Sequence, residues 1–434
     1  MSELGLEALS AVLDRAPVRA RRGRVMEVVG TVIEAEVPGV RIGEVVRVET
    51  GATAETVGFR KQRALLMPFG SVEGIRYGSP VETTGETPSV PVGHALLGRI
   101  LDGFGEPMDG KGPLMASGRR PLHAPPPHAL QRNVIRTVLP TGVRVLDGLL
   151  TFGKGQRVGL MAGSGVGKST LMGTIAKRSA ADVNVIALIG ERGREVREFV
   201  EEILGPEGLA RSVVIVVTSD RSPVLQVRGA FVAATIADWF RDEGKSVMFF
   251  MDSVTRLAMA QRQIGLAAGE PPTTRGYTPS VFGLLPRLIE RAGPGIGAGS
   301  VTAIYTVLVD GDDVTGDPVG DAVRGIVDGH VVLSRKIASH GQYPAVDVLS
   351  SISRVMDACV TPRHRDAARK LRALLATWNE NEELIRLGAY KSGSSPAVDF
   401  AVQRIEAVRA WLGQGAGEGV PFDGTLTSME ALTR

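Results

Sequence analysis

Residues 160–171 read LMAGSGVGKSTL. Gly163, Gly165 and Gly167 alternate along this loop, Lys168 follows the last of them, and Ser169 and Thr170 come next. Glycines at this spacing let backbone amides converge on phosphate oxygens, because no Cβ holds the anion away. The strict P-loop pattern has a glycine where Ala162 stands, which is a mild departure. An apolar run, RVGLMA, leads in, and a helical stretch, STLMGTIAKRSA, leads out. The loop therefore joins a strand to a helix starting near Lys168, whose dipole adds to the pull on an anion. A bare glycine turn at a strand end is the bland alternative, and the flanking strand and helix argue against it. Nor is the loop a dinucleotide fingerprint, since a lysine and a hydroxyl suit a triphosphate with magnesium. Gly163, Ser164, Gly165, Val166, Gly167, Lys168, Ser169 and Thr170 form the predicted ATP site. Lys168 is expected at the β and γ phosphates and the Ser169 hydroxyl on Mg2+.

Two carboxylates belong with this loop. VMFFMD at 247–252 is an apolar run that ends in Asp252, which places an acid at the C-terminal edge of a central strand, where it can hold the magnesium shell. IGERGRE at 189–195 follows the apolar IALI. Glu191 at that strand end faces the same crevice and is the predicted catalytic carboxylate that orients and polarises water. Arg192 is expected to touch phosphate or position the site, although a surface ion pair is the simpler use of such a neighbour.

The surroundings fit an α/β core. IALIG, VVIVV, VMFFM, VTAIYTVLV and HVVLS are continuous apolar runs, as expected for strands covered on both faces in a mainly parallel sheet. The first segment, residues 1–24, combines Leu4, Ala8, Leu9, Val12 and Leu13 at helical spacing with Arg19, Arg21, Arg22 and Arg24, and reads as either a solvated tail or a docking helix. Residues 25–93 are valine-dense short strands punctuated by glycine, predicting a small β-barrel. Residues 94–361 hold the nucleotide core, entered through GRILDGFGEPMDGKGP and PLHAPPPH. Residues 362–434 are helical, and in the last clear helix Ser395 is placed to cap, Pro396 suits the first turn, and Val398, Val402, Ile405 and Leu412 form a stripe ended by Gly413.

The bulk numbers exclude several classes. Across 434 residues, 50 Lys and Arg nearly balance 47 Asp and Glu, so no general charge draws the chain to nucleic acid or membrane. The single cysteine, Cys359, cannot form an internal disulfide, which fits a reducing compartment and rules out a multi-cysteine zinc site. The apolar runs fall far short of the ~20 residues a spanning helix needs. Asp310 and Asp312 begin like a calcium loop, but Val314 and Thr315 break the pattern. The six histidines have no metal spacing.

With these motifs in place, the chain resembles the rotary-type and protein-export ATPases, and within them the flagellar protein export ATPases, from about residue 25 to the C-terminus. The resemblance is carried by GERGREV, MDSVTR, GEPPTTRGYTPSVFGLLPRLIERAG, YTVLVDGDD, DGHVVLSR and YPAVDVLSSISR, in the family's order. It implies a RecA-like P-loop core preceded by a β-barrel and followed by a helical domain. It also implies MgATP hydrolysis that drives delivery of substrates and their chaperones to a type III export gate. Tyr343 resembles the aromatic that stacks on adenine, although a core tyrosine before a proline is the plainer use. Arg354 resembles the catalytic arginine finger that reaches a neighbouring subunit's γ phosphate, although one guanidinium after a strand is usually an ion-pair partner. The resemblance further implies a cytoplasmic homohexamer, peripheral at the inner membrane. Its implied partners are a stalk-like regulator at the N-terminal helix, a coiled-coil central stalk protein, export chaperones and the membrane gate. The SGVG centre of the loop favours the flagellar branch over the virulence injectisome branch.

Other readings fit less well. A Rho-like RNA translocase needs stacking aromatics on a basic groove. Here aromatics are 5% of the chain and the barrel region offers only Phe59, Phe69 and Tyr77, so no nucleic-acid partner is expected. A non-hydrolysing scaffold resembles this core but lacks a carboxylate at the Glu191 position. An ATP synthase catalytic subunit shares the mechanism and would alternate with a second related chain.

Overall fold

The computed structural model describes residues 21–49, 51–85, 88–309 and 316–434. The expected docking helix, except for Arg21, Arg22 and Arg24, and the acidic 310–315 stretch lie outside the described residues.

Six strands, Arg22–Val29, Val32–Glu36, Val45–Val48, Thr53–Arg60, Arg63–Pro68 and Pro80–Thr83, close into a barrel. Closure draws in residues before 25. Arg22, Gly23 and Arg24 pair with Glu82, Val81 and Pro80, so Arg22 and Arg24 form part of its seam. Glycine is required at 23, because a Cβ there would stand 2.0 Å from Glu36 O. The strand Ser89–Val92, expected within the barrel region, pairs instead with Gly118–Pro121.

A nine-stranded sheet forms the centre. From one edge it runs Val346–Ser353, Gly329–Leu333, Arg157–Ala162, Ser300–Leu308, Ser246–Asp252, Val183–Ile189, Ser212–Val217 and Arg99–Leu101, with the short Gly293–Pro294 pairing alongside Ser300–Leu308. Every neighbouring pair along this order is parallel except the first, where Val346–Ser353 runs antiparallel to Gly329–Leu333. Part of the expected entry loop is therefore an edge strand, because Arg99–Leu101 finds open backbone groups on Ser212–Val217.

The strand Val183–Ile189 explains why these runs are apolar throughout. Val185, Ala187 and Ile189 join one core cluster while Ile186 and Leu188 join the other, so both faces are covered. The sheet thus separates two hydrophobic layers and presents its C-terminal strand ends along one edge.

Three helices, Pro362–Arg386, Pro396–Leu412 and Phe422–Leu432, form the C-terminal region. They dock on the helix Arg144–Leu149, where a Cβ at Gly148 would come within 2.7 Å of Trp411, so the contact depends on glycine. Ser395 sits at the cap position, but its side chain makes no capping hydrogen bond. The buried stripe is Val398, Ala401, Ile405, Val408 and Leu412, while Val402 is 41% exposed and lies off it. Among the described residues no helix is long and apolar enough to cross a membrane.

Candidate active site

The strand Arg157–Ala162 delivers the glycine loop at the C-terminal edge of the sheet, and the helix Lys168–Arg178 begins directly after it. Gly165 and Gly167 hold φ of +77° and +85°, a region that costs a side chain-bearing residue dearly. Gly167 is doubly constrained, because a Cβ on it would lie 3.3 Å from the Tyr343 ring. Val166 turns its side chain into the core and leaves only its backbone to the loop. Ser164, Gly165 and Thr170 are exposed, Gly163 is buried, and Ser169 sits half-buried on the first helical turn beside Lys168.

Two neighbouring strands bring the carboxylates to this helix. Asp252 ends the strand Ser246–Asp252, is 4% exposed, and receives a hydrogen bond from Thr306 Oγ1 at 2.7 Å. The Lys168 ammonium pairs with Asp252, and its Nζ stands 3.8 Å from Glu191 Oε1. Glu191 lies two residues past Val183–Ile189 and is 9% exposed; its Oε1 is buried with no hydrogen-bond partner. Its carboxyl group also shares a side-chain hydrogen bond with Glu195. Burial pushes the Glu191 pKa up to about 7, the charge of Asp252 adds to the rise, and Lys168 opposes it.

That raised pKa has a measurable consequence for stability. In an exposed chain a glutamate ionises near 4.5, whereas folded Glu191 keeps its proton to about pH 7. Between those values the unfolded state binds fewer protons, so folded-state stability falls as pH rises and stays lower above pH 7. Glu191→Gln removes this cost. The variant is expected to melt at a higher temperature than the native chain at pH 8 without nucleotide, and to show a much smaller gain at pH 4.5. An equal gain at both pH values would contradict the assignment.

Other sequence-singled residues fall in different places. Arg192 does not join the cluster: its guanidinium is exposed and pairs with Glu195 at 2.9 Å. Tyr343 is 46% exposed and borders a cavity of about 430 Å³, lined also by Gly165, Gly167, Thr170, Thr174, Pro344 and the 414–416 loop. Arg354 is exposed at the far side of the sheet, its guanidinium donating to Val327 O at 3.2 Å and Arg324 O at 3.3 Å. Sequence reading missed Thr306, whose only signal was a polar residue inside an apolar strand. It also missed the 414–416 loop, where GQGAGEG signalled a turn and nothing more.

The site fits a magnesium nucleotide on its own donors. One hydroxyl, Ser169, and one carboxylate, Asp252, are too few for a dedicated metal cage, and among the described residues there is no cluster of three or more His, Cys, Asp or Glu. Magnesium keeps several waters and takes substrate phosphates as ligands, so a sparse oxygen set is what it uses.

The topology agrees with the chain's likeness to known proteins. Residues 25–85 match the beta-barrel domain and residues 142–353 the nucleotide-binding domain of the ATP synthase alpha/beta family, and residues 360–431 match the T3SS EscN ATPase C-terminal domain. The chain is 52% identical over 421 residues to the flagellum-specific ATP synthase of Bacillus subtilis (strain 168), covering 95% of each. It is also 52% identical to the type 3 secretion system ATPase of Xanthomonas euvesicatoria, covering 96% of this chain and 95% of that one. The chain belongs to the family of flagellar and type III secretion ATPases. Among solved structures, this export ATPase superposes on the assembled ATPase EscN from the enteropathogenic E. coli type III secretion system with a TM-score of 0.91 at 44% identity, covering 95% of this chain and all of that one. EscN in complex with its central stalk EscO gives a TM-score of 0.89 at 43% identity, with the same coverage. The RecA-like core, the leading barrel and the helical C-terminal region are shared features of this family, and the chain is an ATPase.

Proposed function

We propose that this ATPase hydrolyses MgATP at sites shared between neighbouring copies in a homohexameric ring, and that the ring serves a flagellar type III export apparatus. One observation carries the shared site: Tyr343 and Arg354 flank the same edge strand, Val346–Ser353. Val346 pairs with Leu333 at the C-terminal edge of the sheet, beside the P-loop, whereas Ser353 pairs with Gly329 at the opposite edge. Eight residues of strand separate the two ends by about 26 Å. Arg354 therefore cannot reach the nucleotide that its own Tyr343 would stack on. A finger in that place serves an adjoining copy.

Within one copy, the loop amides and Lys168 hold the phosphates, which draws the ammonium away from Asp252. Asp252 and Ser169 would hold magnesium, which, when bound, neutralises charge on the β and γ phosphates. Glu191 orients the attacking water and accepts its proton, a role suited to a carboxyl titrating near neutrality. Arg354 of the next copy stabilises charge on the transferred group.

The flagellar assignment is supported by the SGVG loop centre. Injectisome service is the second reading, favoured by the likeness to EscN. On either reading the ring sits on the cytoplasmic side, peripheral to the membrane. Its proposed partners are a stalk-like regulator at residues 1–24, a coiled-coil central stalk, chaperones with their substrates at the C-terminal helices, and the export gate. The test is to express tagged Glu191→Gln in its native cells and identify what is trapped with it. Flagellar subunits and their chaperones are expected, virulence effectors would select the second reading, and RNA alone would sink both.

A further inference from the structure

The cavity beside Tyr343 is lined by Gln414, Gly415 and Ala416, part of the 413–416 loop that follows the helix Pro396–Leu412. The loop holds two glycines and an alanine, which gives it little side-chain surface with which to keep its own shape. Gln414 supplies what the loop lacks. Its side chain is 9% exposed and its amide is fully engaged with three separate places. Oε1 accepts from Arg144 N at 2.8 Å, and Nε2 donates to Gly142 O and to Glu418 O, each at 2.8 Å. Its backbone amide donates to Tyr343 O at 2.7 Å. Arg144 reinforces the same arrangement, with its guanidinium on Gly413 O and on Glu418 at 3.0 Å.

One residue thus ties the small-residue wall of the cavity to the aromatic wall and to the segment before the helix Arg144–Leu149. Both Nε2 protons are spent on carbonyls, so the side chain holds the loop without offering those donors to a ligand. We propose that Gln414 is the positioning residue of the nucleobase subsite, holding the Gly415 and Ala416 wall at the spacing from Tyr343 that a stacked base needs. This rests on the reading that ATP lies on the P-loop with its base at Tyr343. Lys168, Glu191 and Asp252 are held by other elements, so Gln414 governs nucleotide affinity and leaves the chemical step alone.

The test uses the full chain with two ligands, ATP and tripolyphosphate, which presents phosphates without a base. Gln414→Ala is expected to raise KM for ATP about tenfold or more, a loss in line with several broken hydrogen bonds, with kcat within about twofold of native. The inhibition constant of tripolyphosphate is expected to stay within about twofold. Gln414→Met, which keeps the length but forms none of these bonds, is expected to behave like the alanine variant. Equal weakening of ATP and tripolyphosphate would mean general damage and would overturn the proposal. So would an unchanged KM in either variant, or a fall confined to kcat. The reading beneath it is checked in the otherwise native chain, where Tyr343→Ala should weaken ATP and spare tripolyphosphate. If Tyr343→Ala changes neither, the base does not sit there, whatever Gln414 does.

Discussion

Glu191→Gln is expected to bind ATP with near-native affinity and to lose about 10² to 10⁴ in turnover, the range typical of removing a positioned general base. The amide keeps the size and one acceptor oxygen, so the phosphate cradle at Lys168 and the loop glycines is undisturbed. It cannot take a proton from water. Steady-state phosphate release, measured alongside equilibrium nucleotide binding, separates the two effects. The native enzyme should also lose activity as pH falls through about 7, because burial holds the carboxyl protonated below that value. The midpoint near 7 is expected in kcat/KM, which reports the free enzyme, whereas kcat reports the complex, where Lys168 has shifted toward phosphate. Turnover by Glu191→Gln within threefold of native would remove this residue from the chemistry.

Arg354→Ala is expected to lose about 10³ to 10⁵ in kcat while binding ATP normally, the scale of an absent arginine finger. The guanidinium now rests on the carbonyls of Arg324 and Val327, hydrogen bonds that fix its direction without neutralising its charge. Because the finger and the loop lie at opposite edges of one sheet, a mixing experiment distinguishes a shared site from a self-contained one. Lys168→Ala copies have a dead loop and a sound finger, and Arg354→Ala copies have the reverse. Combined in rings, the two inactive variants should regain a fraction of native activity at mixed interfaces. No recovery in verified mixed rings, or full-speed hydrolysis by a protein that stays monomeric, would end the shared-site account.

Much of the phosphate end was legible before folding was considered. The glycine spacing, Lys168 and the apolar run into Asp252 are local patterns, and each reflects a backbone requirement that acts over a few residues. The two sides of the sheet were legible for the same reason, since a strand buried on both faces must be apolar at every position. The barrel start was less clear, because Arg22 and Arg24 look like tail residues until Pro80–Thr83 arrives to pair with them. Arg99–Leu101 looked like loop because its pairing partner lies more than a hundred residues later.

The chain's own order of residues determined that a glycine-rich loop stands between a buried strand and a helix, with acids at two later strand ends. Tertiary structure alone decided which groups meet. It brought Lys168 to Asp252 across 84 residues and Gln414 to Arg144 across 270, and left Arg192 outside on Glu195. It also turned one edge strand antiparallel, which set Tyr343 and Arg354 at opposite rims of the sheet. The physical reason is one of range: backbone preference and hydrophobic period act along a few neighbours, whereas the placing of a charge or an amide depends on strand order and direction, which only the packed sheet fixes.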